Sequence, residues 1–323
     1  RSTSFGVGRV SSLFVYPMSF DEFLTATRQE GLLRIKRNSS PTNPLPEAFY
    51  NRLVEAFRSY MLVGGMPEAV ATYTETGSYR YSSDIVNEII QGYQDDFAKY
   101  GAKANPLLLR QTLISVAHQA GAKFVYSRVE GQYRSAEVKV ALEMLKDAGL
   151  IIPTYHTDAN GVPLGAEINE RVVKYLIHDT GVLLGILGID DDIDERIKEI
   201  MVADSIDLVD KGHVAEMMAG LELIKYSSPQ TRHQLYYWQN MNKGTCAEVD
   251  YVIARSGSIV PIEVKSGVKG SMSSMYSLMR NLQKHIEMGI RCSLENFGTF
   301  ASSDGKKIDI IPLYAISNLF AEK

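Results

Sequence analysis

The stretch from Glu248 to Gly267, EVDYVIARSGSIVPIEVKSG, places two carboxylates and a lysine where they could handle a hard cation. Val249, Tyr251 and Ile253 alternate with Glu248, Asp250 and Val252. Beyond Arg255-Ser-Gly-Ser258, Val260, Ile262 and Val264 alternate with Glu263 and Lys265. Alternation with period two around a Ser-Gly dipeptide predicts a β-hairpin. With Arg255 opposite Ser258, Asp250 faces Glu263 and Glu248 faces Lys265. Directly opposed carboxylates have Cβ atoms about 5 Å apart and repel. A divalent cation between them removes the repulsion, with Lys265 beside it on the same face, two residues from Glu263. The same residues also fit a solvated sheet face on which Glu248 and Lys265 form a surface ion pair, worth under about 1 kcal/mol. A one-residue slip in register would send the two carboxylates to opposite faces.

The elements that must hold this hairpin flank it. Lys211 to Ile224 reads as a helix with Val214, Met217, Met218 and Leu221 as its buried stripe, and Glu216 lies on the flank. Gln234 to Gln239 reads as a strand carrying the only tryptophan, Trp238, expected to pack under the acidic face. Met272 to Met288 predicts a helix, and Gly289–Leu294 and Ile308–Tyr314 predict strands. The order helix, strand, hairpin, helix, strand predicts a mixed α/β sandwich.

Upstream, Ser19 and Glu22 have capping-box spacing for a helix burying Phe20, Phe23 and Leu24. A loop at NSSPTNPLP (38–46) precedes helical periodicity from Glu47 to Met61, stopped by Gly64-Gly65. Pro67 suits the first turn of the next helix, and Ser83 to Tyr100 predicts another. Helices at Leu107–His118, Tyr126–Gly131 and Ser135–Asp147, then a strand at Gly149–Tyr155 and a turn at Asn160-Gly161, form a winged-helix pattern. The third of these helices offers Arg134, Lys139 and Lys146, with Arg128 before it. Glu130, Glu137, Glu143 and Asp147 offset them, which suits a packing or regulatory module better than a DNA-reading one. Arg171 to Gly181 reads as a strand entering a turn, with Asp179 as a cap and His178 structural. Asp190–Glu195 (DDDIDE) reads as a solvated loop and helix start.

Two resemblances follow from these residues. Asp250…Glu263-Val264-Lys265 resembles the PD-(D/E)xK nuclease core of restriction-endonuclease-like folds. The phrases GRVSSLFVYPMSFDEFL and YMLVGGMPEAV, with Lys174 to Val182, resemble a region of a large group of bacterial and archaeal AAA-type ATPases. That resemblance implies an α+β mixed chain: an ATPase-lid-like helical segment at 1–104, a winged helix at 105–165 and a nuclease-like α/β domain at 166–323. It also implies an upstream P-loop ATPase domain as the natural partner. No GxxxxGK[ST] occurs here, so ATP is expected only through a domain this chain lacks. The nuclease resemblance implies Mg²⁺ or Mn²⁺ at Asp250 and Glu263, with Glu216 as a third ligand from the preceding helix. The Val264 carbonyl would complete the coordination, and Asp250, Glu263 and Lys265 would be the catalytic set. DNA is the implied substrate and partner. A surface role for Glu216 fits as well.

Composition bounds these readings. The 323 residues are 45% hydrophobic and 22% charged, an ordinary globular balance. A net charge of −4 excludes a polycation, so any nucleic-acid contact needs a local basic patch. Two cysteines, Cys246 and Cys292, in no CxxC pattern, point to a reducing cytoplasm and away from a thiolate zinc site. No apolar run suits a membrane span. Three functions are compatible: a metal-dependent nuclease module governed by an ATPase, a non-catalytic regulatory or scaffolding region binding nucleic acid or protein, and a plain protein–protein interaction domain.

Overall fold

The computed structural model describes residues 11–100, 105–188, 213–240, 247–267, 270–281 and 286–320. Both the acidic run at 190–195 and Cys246 lie outside them. The chain opens with helices. Ser19 starts α1 (Phe20–Ala26) through a capping box: its Oγ accepts the Glu22 N–H, and Glu22 Oε2 accepts the Ser19 N–H at 2.7 Å. α2 (Glu30–Arg37), α3 (Glu47–Val63), α4 (Pro67–Thr76) and α5 (Tyr79–Phe97) follow. α5 begins earlier than the periodicity predicts, because the Ser78 hydroxyl accepts the Tyr81 N–H as an N-cap. Phe20, Phe23, Phe57 and Tyr60 interlock at ring-centroid distances of 5.2–6.5 Å and anchor this core.

α3 stops at Gly64, whose φ of +76° is open to glycine without steric cost. Gly64 has a second duty. A Cβ there would lie 2.2 Å from Asp179 Oδ1. Asp179, fully buried, accepts the Gly65 N–H at 2.6 Å and caps α8 (Thr180–Ile186) by accepting the Val182 N–H at 3.1 Å. The cap expected at Asp179 therefore also fastens the helical segment to the rest of the chain. His178 is structural as expected: Nδ1 lies 3.1 Å from the Leu150 carbonyl and Nε2 3.2 Å from the Tyr93 hydroxyl.

α6 (Pro106–His118), a 3-10 turn at Tyr126–Arg128, α7 (Ser135–Asp147), β1 (Ile151–Thr157) and β2 (Ile168–Ile177) follow in that order. α7 buries Val138, Ala141, Leu142 and Leu145, the predicted stripe. β1 pairs antiparallel with β2 and parallel with β3 (Leu235–Gln239), and with β4 (Glu248–Val249) the sheet order is β2-β1-β3-β4. The hairpin thus extends beyond residue 165, and the segments on either side of that position share one sheet.

α9 (His213–Lys225) is buried from Val214 through Ile224. β3 pairs antiparallel with β4 (Glu248–Val249). β5 (Tyr251–Arg255) and β6 (Ser258–Val264) form the predicted hairpin, from Arg255↔Ser258 to Tyr251↔Ile262. Ser256 and Gly257 have φ of +49° and +77°, the two positive values of a tight hairpin turn. Pro261 is tolerated because it sits opposite Val252 at a position that donates nothing to β5. α10 (Ser273–Met279) crosses from β6 to the parallel strand β7 (Met288–Ser293), and is shorter than the predicted Met272–Met288 helix. β9 (Lys307–Pro312) lies parallel to β7, and β8 (Gly298–Ala301), which the sequence reading did not anticipate, closes the order β5-β6-β7-β9-β8. The architecture is mixed α+β: a helical N-terminal part and an α/β C-terminal part. Among the described residues no helix is long and apolar enough to cross a membrane.

Candidate functional site

The hairpin ladder ends at Tyr251↔Ile262, so Asp250 and Glu263 are not the ladder pair the sequence register predicts. The strand bends at Asp250, because residues 248–249 turn away to pair with β3 through Gln239↔Glu248 and Trp238↔Val249. The Val264 N–H that a continued ladder would bind is taken by the Asp250 carboxylate, Oδ2 accepting it at 2.7 Å. Asp250 therefore stays close to Glu263 as a side-chain substitute for backbone pairing. Trp238 packs with Val249, Val252 and Ile259 beneath this bend.

Glu248 and Lys265 do not meet, contrary to the sequence pairing. Glu248 Oε1 lies 2.6 Å from Lys174 Nζ, and Lys265 Nζ lies 2.7 Å from Glu263 Oε1. The bend moves Glu248 to the β3 side, where β2 brings up Lys174. Glu216, expected on the flank of its helix as a metal ligand or a surface residue, is buried, and its Oε1 accepts from the same Lys174 ammonium at 2.8 Å. The helix is held at this depth by a close approach. Tyr251, next to Asp250 in the chain, donates its hydroxyl to the Glu216 carbonyl at 2.8 Å. A Cβ on Gly220 would stand 2.3 Å from that hydroxyl. Gly220 is the glycine this contact requires.

The structure thus gathers Glu216, Asp250, Glu263 and Lys265 around one region, and adds Glu248 and Lys174. Four carboxylates face two ammonium groups. Burial pushes the Asp250, Glu263 and Glu216 carboxyls up, and repulsion from neighbouring carboxylates adds to it. Asp250 rises to about 7 through burial and the nearby Glu216 carboxylate, against the opposing pull of Lys174, the Val264 N–H and Lys265. Glu263 also rises to about 7, through burial and Asp250, with Lys265 opposing. Glu216 is raised by burial, with Lys174 acting against it. Glu263 Oε2 is buried and has no hydrogen-bond partner among the described residues. An unsatisfied buried carboxylate oxygen is costly unless protonated or met by a cation.

Whether these residues suit a divalent ion follows from the donors. Two uncompensated negative charges, hard carboxylate oxygens and an unpartnered Oε2 fit Mg²⁺ or Mn²⁺. Asp250, Glu263 and the Val264 carbonyl are the groups that would hold it. Among the described residues no group of three or more His, Cys, Asp or Glu is already disposed around one point. Glu216, the third expected ligand, has Oε1 engaged by Lys174.

Two residues were not singled out as site residues from the sequence. Lys174 was a solitary cation within the apolar run Val172–Ile177, and that contrast was its signal. Arg291 stands beside Glu263 in the parallel register. It is buried, with Nε 2.5 Å from Glu295 Oε2 and Nη1 3.2 Å from the Gly270 carbonyl. A cation inside the apolar strand GIRCS marked it. Elsewhere, a cavity of about 810 Å³ between the loop at 162–166, β3 and β5 has no Asp, Glu, Lys or Arg in its lining.

Comparison with known proteins gives two matches. Residues 54–193 match a family model described as a domain of unknown function, DUF8612. Residues 211–316 match another domain of unknown function, DUF4143, a type found in C-terminal regions associated with AAA-type ATPases. No curated protein and no solved structure matches the chain.

Proposed function

We propose that the chain carries a metal-dependent phosphodiesterase site of the PD-(D/E)xK kind, acting on nucleic acid, in the C-terminal part of an AAA-type ATPase. The observation that carries this reading is the Asp250–Glu263 pair. The two carboxyls are raised to about 7, carry one unpartnered oxygen, and have an ammonium, Lys265, alongside. The order of elements supports it: α9 precedes β3, the bent strand β4–β5 and β6, and α10 leads into the parallel β7.

A bound Mg²⁺ or Mn²⁺ would supply Lewis-acid activation of water and neutralise charge at the phosphate. The residues' own contributions follow from their settings. Asp250 is held in place by the Val264 N–H, so its second oxygen points from a fixed carboxyl group. Glu263 presents Oε2 while Lys265 holds Oε1. Lys265 keeps 21% of its side chain exposed. It is the charged group of the set that can meet both Glu263 and a phosphate oxygen from solvent, and so can balance charge in the transition state. Gly270 walls the Lys265 stem, a Cβ there falling 2.6 Å from Cδ, so the lysine is confined to its course toward Glu263.

A second reading is favoured by the Lys174 contacts, which already engage Glu216 and Glu248: a non-catalytic scaffold or nucleic-acid- and protein-binding region in which the cluster is a structural ion network. The test is cleavage of plasmid and single-stranded DNA in Mg²⁺ or Mn²⁺ by the wild type and by Lys265→Ala. Metal-dependent cleavage lost in Lys265→Ala supports the nuclease reading. Cleavage that survives the substitution overturns the assigned mechanism. No cleavage, with no ion binding by calorimetry, leaves the scaffold reading.

A further inference from the structure

Lys174 reaches the carboxylate cluster from outside the segment 211–316 matched by the second family model. It belongs to β2, the end strand of its sheet, within the segment matched by the other family model. Its side chain is 1% exposed, its Nζ lies 2.8 Å from Glu216 Oε1 and 2.6 Å from Glu248 Oε1, and it stands 4.9 Å from the centroid of the Tyr237 ring. Two anionic oxygens from different elements converge on one buried point over an aromatic face, which is how a protein lodges a cation. The occupant of that point is the protein's own ammonium. Glu216 is also the carboxylate that the Asp250–Glu263 pair lacks as a third ligand.

Resting on the cation-binding reading above, we propose that Lys174 is a built-in counter-cation that competes with a divalent ion for Glu216 and Glu248, and so holds down the affinity of the site for its metal. Lys174 engages two of the four carboxylates and leaves Asp250 and Glu263 to bind an ion with two side chains. Without its charge, the four carboxylates face one lysine, Lys265.

The experiment is Mn²⁺ binding to the full chain by calorimetry, for the wild type, Lys174→Met and Lys174→Arg, together with thermal melts with and without Mn²⁺. Removing one positive charge beside a divalent ion is expected to tighten Mn²⁺ binding by at least about tenfold. Lys174→Arg, which keeps the charge, is expected to bind as the wild type does. A purely structural lysine would lower the melting temperature without tightening Mn²⁺ binding. Unchanged or weaker binding in Lys174→Met, with the wild type still binding, overturns this inference and leaves the metal reading standing. Binding in neither protein overturns both, and binding only in Lys174→Met supports the competition. Should Lys174→Met fail to fold alone, folding restored by millimolar Mn²⁺ gives the same support. A variant that Mn²⁺ does not restore overturns the inference.

Discussion

Asp250→Asn in metal-free buffer is the substitution that most directly probes the buried charge. Asn keeps an oxygen able to accept the Val264 N–H that Asp250 Oδ2 accepts at 2.7 Å, and changes little but the charge. Asp250 rises from 3.8 to about 7 and Glu263 from 4.5 to about 7. Carboxyls raised in this way stabilise the fold while protonated. Their contribution is fully present below the unfolded values near pH 4 and is lost as pH rises through about 7. Part of each shift is the other's charge, so the pair is best treated as holding one extra proton in the folded state between about pH 4.5 and 7. The slope is then about −1.4 kcal/mol per pH unit, and about 3 kcal/mol is lost across the window. His178, lowered by burial, contributes in the opposite sense, so the useful quantity is the difference between variant and wild type at each pH. Urea unfolding in EDTA at half-unit steps from pH 4.5 to 8.5 measures it. Asp250→Asn is expected to match the wild type near pH 4.5 and to exceed it by about 3 kcal/mol at pH 8. A difference that stays constant over this range, or that favours the wild type at pH 8, refutes the account of Asp250 and Glu263 as an underneutralised pair.

Further consequences are open to the same measurement. Gly220→Ala pushes a methyl group to 2.3 Å from the Tyr251 hydroxyl and 2.7 Å from Leu176 Cδ1, and is expected to cost about 2–3 kcal/mol. Combining it with Tyr251→Phe should recover part of that loss, a non-additivity that a double-mutant cycle reads directly. Asp179→Ala strands the Gly65 and Val182 N–H groups in a fully buried place and should cost about 3 kcal/mol or more, with Asp179→Asn restoring roughly half. Lys36→Met leaves Asp21, at 5% exposure, with the exposed Arg37 as its remaining cationic partner among the described residues, and is expected to destabilise by about 3–5 kcal/mol in denaturant unfolding.

Local signals in the chain carried far. The Ser19–Glu22 box, the Gly64 stop, the boundaries of α7 and the Arg255↔Ser258 register are all set by neighbours a few residues apart, and each was readable from residue type and spacing. The site itself was half readable. Alternation placed Asp250 and Glu263 together, but their relation depends on residues 248–249 leaving the hairpin for β3, a competition between two strands that no local pattern records. The Glu248–Lys265 pair was misassigned for the same reason. Lys174 lies more than forty positions from Glu216 and reaches it only because β2 and α9 pack together. α10 ends earlier than its apolar period, since Leu278 and Met279 are buried there without the helix continuing to Met288.

The parallel junction of β1 with β3 bears on how the chain can be cut for study. A fragment starting at residue 211 keeps β3 but discards β1 and β2, baring the backbone of Leu235–Tyr237 that β1 now covers. The same cut removes cover from α9, whose residues 214–224 are all buried. An open, flat strand edge beside stripped apolar surface recruits strands from other copies. Expressed alone, the C-terminal piece should aggregate, and the shortest piece that stays monodisperse should begin no later than α6.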